Sequence, residues 1–371
     1  MTTHYRFIEP LDVLFLRGNK LFGDPGSFGE SLIPPWPSVA AGAIRSRMLA
    51  DAEIDVARFA HGEQPHDELG TPQQPGSFTL TAFQLARRSA QGVELLFAPP
   101  ADLVIGEEGG QVTLRRLRPH AAAPGLESSC TQPLLPILAQ AKRSKPLSDC
   151  WLTQRGWQSY LQGDTPDPLD RVESAALWRI DPRVGVGLDA EQHSAADGKL
   201  FSMQAVSFCR DVGFVAAVQH ATPPSDGLLR LGGDGRAAAL SAVDLHWPEP
   251  DYAAIARAGR CRLVLTTPGI FPQGWHPSGM ERAERCLLYS GVEARLVCAA
   301  VPRGETLSGW DLASNRPKPA QRAAPSGSVY WLEDLKATPE ALRNWVEQGL
   351  WQGEEEPTRR AEGYNRFTFA R

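Results

Sequence analysis

Short apolar runs separated by turn formers dominate the chain, and most of them predict strands rather than helices. Tyr5, Phe7 and the run from Leu11 to Leu16 read as one strand broken by Pro10, which belongs at an edge or bulge because it cannot donate to a ladder. Phe78, Leu80 and Ala82 alternate with Thr79, Thr81 and Phe83, and Val93 to Phe97 forms the next candidate. Gln111 to Arg118, Val212 to Val218, Arg260 to Thr267, Leu287 to Val301 and a closing segment from Glu362 to Phe369 continue the strand pattern. Helical spacing is confined to four places. Ser38 is read as the N-cap of a small-residue helix reaching about Ala50, Trp151 to Leu161 and Asp251 to Ala258 are short helices, and Thr338-Pro-Glu opens a helix with Leu342, Trp345 and Val346 on one face.

The helix after Ser38 is built from Val39, Ala40, Ala41, Gly42 and Ala43, so one side has almost no bulk. Another backbone can come close there, whether from a sheet, a partner or a polyphosphate strand. Before it runs a segment with Arg17, Lys20, Gly23, Gly26 and Gly29, and on the helix itself stand Arg45 and Arg47.

Composition changes the picture in three ways. A chain of 371 residues with 42% hydrophobic and 22% charged positions is ordinary globular protein, long enough for two domains. With 34 glycines and 31 prolines it favours loops and turns. Its formal charge of -5 argues against a generic nucleic-acid coat, although a local basic groove is compatible with it. No leader or apolar run of membrane-spanning length stands out, and the six cysteines are scattered without a Cys-x-x-Cys pair. The expectation is a cytoplasmic protein with reduced thiols, no membrane association, and no metal or cofactor.

Candidate chemistry is sparse. The eight histidines form no His-Glu-x-x-His and no hydrolase elbow is present. Gly185 to Ala190 formally fits Gly-x-Gly-x-x-Ala, but the residues that follow have no apolar helical face, so a hairpin of two strands around a polar loop fits better than a dinucleotide turn. Arg115, Arg116 and Arg118 cannot all share one strand face and read as a solvated edge. Leu228 to Arg236 ends in Gly232, Gly233 and Gly235, which either present amides to phosphate oxygens beside Arg236 or make a tight turn. Arg316, Lys318 and Arg322 lie on a proline-stiffened segment beyond Trp310. Cations beside an aromatic on extended backbone suit single-stranded RNA, and an ordered surface loop is the other reading.

The string Phe7-Ile-Glu-Pro-Leu-Asp-Val-Leu-Phe-Leu-Arg, a Gly-rich loop, then Pro34-Pro-Trp-Pro-Ser-Val-Ala-Ala-Gly-Ala-Ile-Arg resembles the N-terminus of the third Cmr subunit family. These are the RAMP-type components of type III-B CRISPR effectors that bind the crRNA handle. Arg183-Val-Gly-Val-Gly, Leu231-Gly-Gly-Asp-Gly-Arg, Gly309-Trp-Asp and Pro325-Ser-Gly-Ser-Val-Tyr follow in the family's order, so the resemblance covers nearly the whole chain. Near the C-terminus the family usually has a turn with more than one glycine. This chain has Gly363 and Asn365 instead, which speaks against a phosphate role there.

The resemblance implies an α+β protein of two ferredoxin-like, RRM-related RAMP domains (βαββαβ) with long loop insertions, at residues 1–150 and 151–371. It implies a non-catalytic subunit that grips the 5′ repeat-derived handle of crRNA in antiviral defence. Its protein partners would be the large polymerase-like Cmr subunit and a neighbouring backbone RAMP subunit. The expected RNA contacts are Arg17, Lys20, Ser38, Arg45, Arg47, Arg183, Gly185, Gly187, Gly232, Gly233, Arg236, Arg316, Lys318 and Arg322. Two alternatives stay open: a metal-independent endoribonuclease using His4, His193 or His276 as base, and a protein scaffold that touches no RNA.

Overall fold

The computed structural model describes residues 2–18, 28–125, 128, 132–140, 146–189, 191, 194–280, 284, 286–311, 314–351 and 356–371. Lys20 and His193 lie outside them. The chain is mixed α+β, with many more strands than helices.

Thr3–Pro10 is the axis of the first sheet. It pairs antiparallel with Val212–Gln219 on one side and with Ala237–Ala242 on the other. Thr79–Ser89 follows beyond Val212–Gln219, then Gly92–Phe97, Cys150–Thr153 and Arg171–Glu173, while Asp226–Arg230 closes the opposite edge of this eight-stranded sheet. The strand ends at Pro10, where the ladder loses a donor, and Leu14 then makes a separate bridge to Val206. The expected single strand from Tyr5 to Leu16 is therefore two pieces that turn toward different partners.

Helix Pro37–Asp51 covers this sheet. Ala40, Ala41, Ala43, Ile44, Met48 and Leu49 pack with Leu80, Phe83, Leu85 and Phe214 in one core. The alanines let the helix lie close to the strands. Ser38 is not its N-cap, contrary to the sequence expectation. Trp36 holds that position, Pro37 occupies the first turn, and the Ser38 hydroxyl shares a 3.0 Å hydrogen bond with the Tyr364 hydroxyl. Trp151 to Leu161 is also not one helix. Cys150–Thr153 is a fully buried strand, and only Gln154–Leu161 is helical, capped by the Thr153 hydroxyl, which accepts from the Gly156 amide at 3.2 Å. Pairing with Gly92–Phe97 outweighs local helical spacing here.

The second sheet runs Cys286–Tyr289, Val292–Ala300, Val329–Ala337, Cys261–Leu265, Phe367–Ala370. Helix Pro339–Gln348 buries Leu342 and Trp345 on it, and the Thr338 hydroxyl accepts from the Ala341 amide as its sequence predicts. Sheet membership changes between Ala242 and Cys261, so a cut at residue 150 passes through the eight-stranded sheet rather than between the two.

The sheets meet through Phe7, Leu95 and Val215 on one side and Val264, Val297 and Trp331 on the other. Inside this junction the Arg262 guanidinium donates to Asp102 Oδ2 at 2.7 Å, and Tyr160 donates to Asp102 Oδ1 at 2.6 Å. Burial raises the Tyr160 phenol well above its ordinary value, so it stays protonated and able to donate.

Projecting from the first unit is a long antiparallel hairpin, Trp178–Leu188 with Ala195–Phe208. Gly185 to Leu188 is thus the tip end of a strand, not the start of a helix, and Ala190 lies outside the described residues.

Candidate nucleic-acid interface

Two of the expected residues lie over one aromatic ring, and a third stands at the adjoining Gly-rich turn. The guanidinium of Arg236 lies 5.1 Å from the centre of the Phe15 ring and that of Arg183 lies 5.9 Å from it. Arg17, two residues along from Phe15, sits with Nη2 3.6 Å from Asp234 Oδ1 in the Gly-rich turn. Three chain segments far apart in sequence meet here, because the Leu14 bridge to Val206 and the Phe15 contact with the turn draw them together.

Each arginine is held by a carboxylate. Arg236 Nη1 donates to Asp12 Oδ2 at 2.7 Å, and Arg183 donates to Asp181 Oδ2 at 2.9 Å. Asp12 is held below the usual carboxylate range mainly by the Val13 amide, which donates to it at 2.7 Å, with Arg236 and Arg183 adding to the effect. These partners are exposed, so the pairs orient the guanidinium groups while solvent keeps them exchangeable for phosphate oxygens.

The glycines of this region serve packing. Gly232 has φ +75°, and a Cβ there would stand 2.8 Å from the Phe15 carbonyl oxygen. The Gly233 amide donates to that same oxygen at 2.8 Å, so it is already engaged and the turn is clamped to Phe15. Gly185 lies opposite Phe201, whose ring would meet an added Cβ at 2.4 Å, and the Lys199 side chain crosses Gly187 in the same way. Both glycines are needed for cross-strand side chains to lie flat over the hairpin.

A second set of expected residues lines a groove of about 770 Å³ between helix Pro37–Asp51 and the segment from Ser308 to Gln321. Ser38, Arg45 and Lys318 line it together with the half-exposed Trp310. Gly42 faces open space, so the helix is narrow at that point. Lys318 Nζ pairs with Glu362 at 3.2 Å, and Arg359 pairs with the other oxygen of Glu362 at 3.0 Å. Burial lowers the Arg45 guanidinium from its ordinary value, opposed by the charge of Glu362. A phosphate in the groove would relieve that cost.

The remaining expected residues stand elsewhere. Arg47 points away from the groove, bonded to Asp51 at 2.6 Å and to the Leu228 carbonyl, and it lies across Gly227 as a latch between helix and edge strand. Arg316 is exposed in a two-residue strand beside Trp310–Asp311. Arg322 lines a different pocket from Gln321, since neighbours on an extended strand face opposite ways. Asn365 adopts φ +57° and is buried, its side chain bonded to both backbone groups of Ile270 and to the Leu350 carbonyl. Its hydrogen-bonding capacity is spent inside the protein.

A family model described as CRISPR-associated protein (Cas_Cmr3) matches residues 6–369. The chain belongs to this family. Among solved structures, a chain of the Type III-B Cmr-beta complex bound to cognate target RNA, determined by cryo-EM, matches over 98% of this chain and 96% of its own length, with 14% identity and a TM-score of 0.50. A chain of the same type of complex, with cognate target RNA and AMPPnP, matches at 13% identity over 96% of this chain and 91% of its own, with a TM-score of 0.46. No curated protein sequence matches.

Sequence reading of this Cas_Cmr3 chain missed Arg359 and Gln321, which bond to each other at 2.9 Å on the floor of the groove. No local pattern marks them, because they come from separate segments. It also grouped Arg115 with Arg116 and Arg118. Arg115 pairs with Glu108 at 2.8 Å, whereas Arg116 and Arg118 line a common cleft, as their two-residue spacing permits.

Proposed function

We propose that this chain is the non-catalytic subunit of a type III-B Cmr ribonucleoprotein that holds the 5′ handle of crRNA. The observation that carries this reading is the gathering of Arg183 and Arg236 over the Phe15 ring with Arg17 at the adjoining turn, three cations in a chain whose net charge is negative. A positive cluster with a ring beneath it suits single-stranded RNA, where phosphates pair and bases stack. The groove with Arg45, Lys318 and Trp310 would take a neighbouring stretch of the same strand.

Two ferredoxin-like RAMP domains fit the strand order. In the first sheet Thr79–Ser89, Val212–Gln219, Thr3–Pro10 and Ala237–Ala242 are successive neighbours, and in the second Val292–Ala300, Val329–Ala337, Cys261–Leu265 and Phe367–Ala370 repeat that order of second, third, first and fourth strand. In this reading the segment between Ser89 and Val212 is one long insertion, and the domains divide between Ala242 and Cys261.

The projecting hairpin supports a role in docking on other Cmr subunits. Ile180, Val184, Val186 and Leu188 share one strand face, with Leu200 beside them, and Val184 is 72% exposed. Such a stripe is costly in water unless a partner covers it.

The deciding experiment is fluorescence anisotropy with labelled guide RNA, with and without its handle, added to this chain alone and to the chain with the large subunit. The same samples are run on a denaturing gel. Handle-dependent binding with intact RNA is the expected result. Cleaved RNA would replace the reading with a nuclease, and no binding in either setting would leave a scaffold.

A further inference from the structure

A second basic site lies apart from the arginines around Phe15. Where the hairpin Leu103–Arg116 and the strand Arg118–His120 meet the start of the second sheet, a cleft of about 520 Å³ opens between the two units. Arg116, Arg118, His120 and Arg260 line it, with Leu117 and Leu134 as apolar wall. This is the size of a nucleotide pocket rather than a surface dimple.

The charge in the cleft is unbalanced. Of the carboxylates at hand, Asp102 is consumed by Arg262 at 2.7 Å and by Tyr160 at 2.6 Å, and Glu333, which lines the cleft, lies 3.5 Å from Arg295. Among the described residues no carboxylate stands at ion-pair distance from Arg116, Arg118 or Arg260. Arg116 donates from Nη1 to the Gly163 carbonyl, while its buried Nε has no partner. Burial, and then the charges of Arg262 and Arg118, lower its guanidinium from the ordinary value, so the cationic cleft is destabilised as it stands. An oxyanion in the cleft would offset the repulsion between the guanidinium groups. Guanidinium groups can each take two oxygens of a phosphate, and the lining carboxylate, Glu333, is turned to Arg295.

We infer that this cleft is a phosphate-ester site, seating the phosphate of a nucleotide or of an RNA backbone on Arg116, Arg118 and Arg260 with the base against Leu117 and Leu134. It stands independently of handle binding, because none of its residues belongs to the cluster around Phe15 or to the groove along helix Pro37–Asp51.

The test uses the full chain and a double variant, Arg118→Glu with Arg260→Glu. Both side chains are exposed, and an Arg→Lys pair serves as a folding and charge control. Titration calorimetry with inorganic pyrophosphate and with ATP is set beside anisotropy with a labelled single-stranded RNA that lacks the handle. The expected result is binding of at least one probe, weakened about tenfold or more by the glutamates and largely kept by the lysines. Loss confined to pyrophosphate or ATP identifies a free nucleotide as the ligand. Loss confined to the RNA identifies a backbone phosphate. If no probe binds, or if the double variant binds every probe as tightly as the wild type, the site is refuted. Handle-dependent affinity measured on the same variants keeps this outcome separate from that of the Phe15 cluster.

Discussion

Arg236 stands over the Phe15 ring at 5.1 Å while the turn that carries it is fastened to the Phe15 carbonyl oxygen by the Gly233 amide at 2.8 Å. One residue thus supplies both the platform and the anchor for the cation. Side-chain freedom of Arg236 is thereby reduced, which would lower the ordering cost of the proposed RNA contact.

Arg236→Ala is expected to weaken handle binding about tenfold and to reduce the salt dependence of log K by about one counterion. Anisotropy titrations between low and moderate salt give both numbers. An unchanged slope would remove Arg236 from phosphate contact even if affinity fell.

Arg262 and Asp102 are each at most 3% exposed and share one charge-assisted bond across the junction of the two sheets. Asp102→Ala leaves a buried guanidinium without its counter-charge and is expected to cost about 3–5 kcal/mol in urea unfolding. Adding Arg262→Met should recover part of that loss, since removing both charges also removes their desolvation cost. No recovery in the double variant would place the cost in packing instead.

Asn365 combines left-handed backbone with three buried side-chain hydrogen bonds. Asn365→Gly relieves the φ constraint and loses the bonds, whereas Asn365→Ala loses the bonds and keeps the strain. The alanine variant should be less stable than the glycine variant by about 1–2 kcal/mol, with both below wild type. Equal stability would show that strain plays no part.

Cys261 is buried at the start of the second sheet, and that burial pushes its thiol from 9.0 up to about 12. Its folded value is raised, so the contribution it makes to stability is complete below the unfolded thiol value and is lost as pH rises from there toward 12. Native protein at pH 8.5 should therefore leave Cys261 unmodified by iodoacetamide, and urea-unfolded protein should alkylate it fully, as read by peptide mass spectrometry. Rapid alkylation in the native state would contradict its placement.

Local chemistry made much of the chain legible. Thr338 before a proline and an acid marks a helix start because the capping hydroxyl acts within one turn, and the helix Pro339–Gln348 forms there. Alternation marked the start of Thr79–Ser89, since a strand's two faces repeat every second residue, and a continuous apolar run marked Val212–Gln219, which is buried on both faces. Arg17, Arg183 and Arg236 could be named as candidates from residue type and motif, yet nothing local says that they meet.

The sequence by itself determined the strand-rich α+β character, the helix start at Thr338 and the family, because these rest on propensities and motifs that act over a few residues. Only the tertiary structure decided which cations share a site. Arg47 and Arg45 are two residues apart on one helix, but one latches onto the Leu228 carbonyl and the other lines the groove, a division set by the 3.6-residue turn and by what each face packs against. Arg116, Arg118 and Arg260 come together because an inserted hairpin folds back onto the second sheet. Contacts of such sequence separation depend on how buried surfaces fit together, and no local pattern encodes that fit.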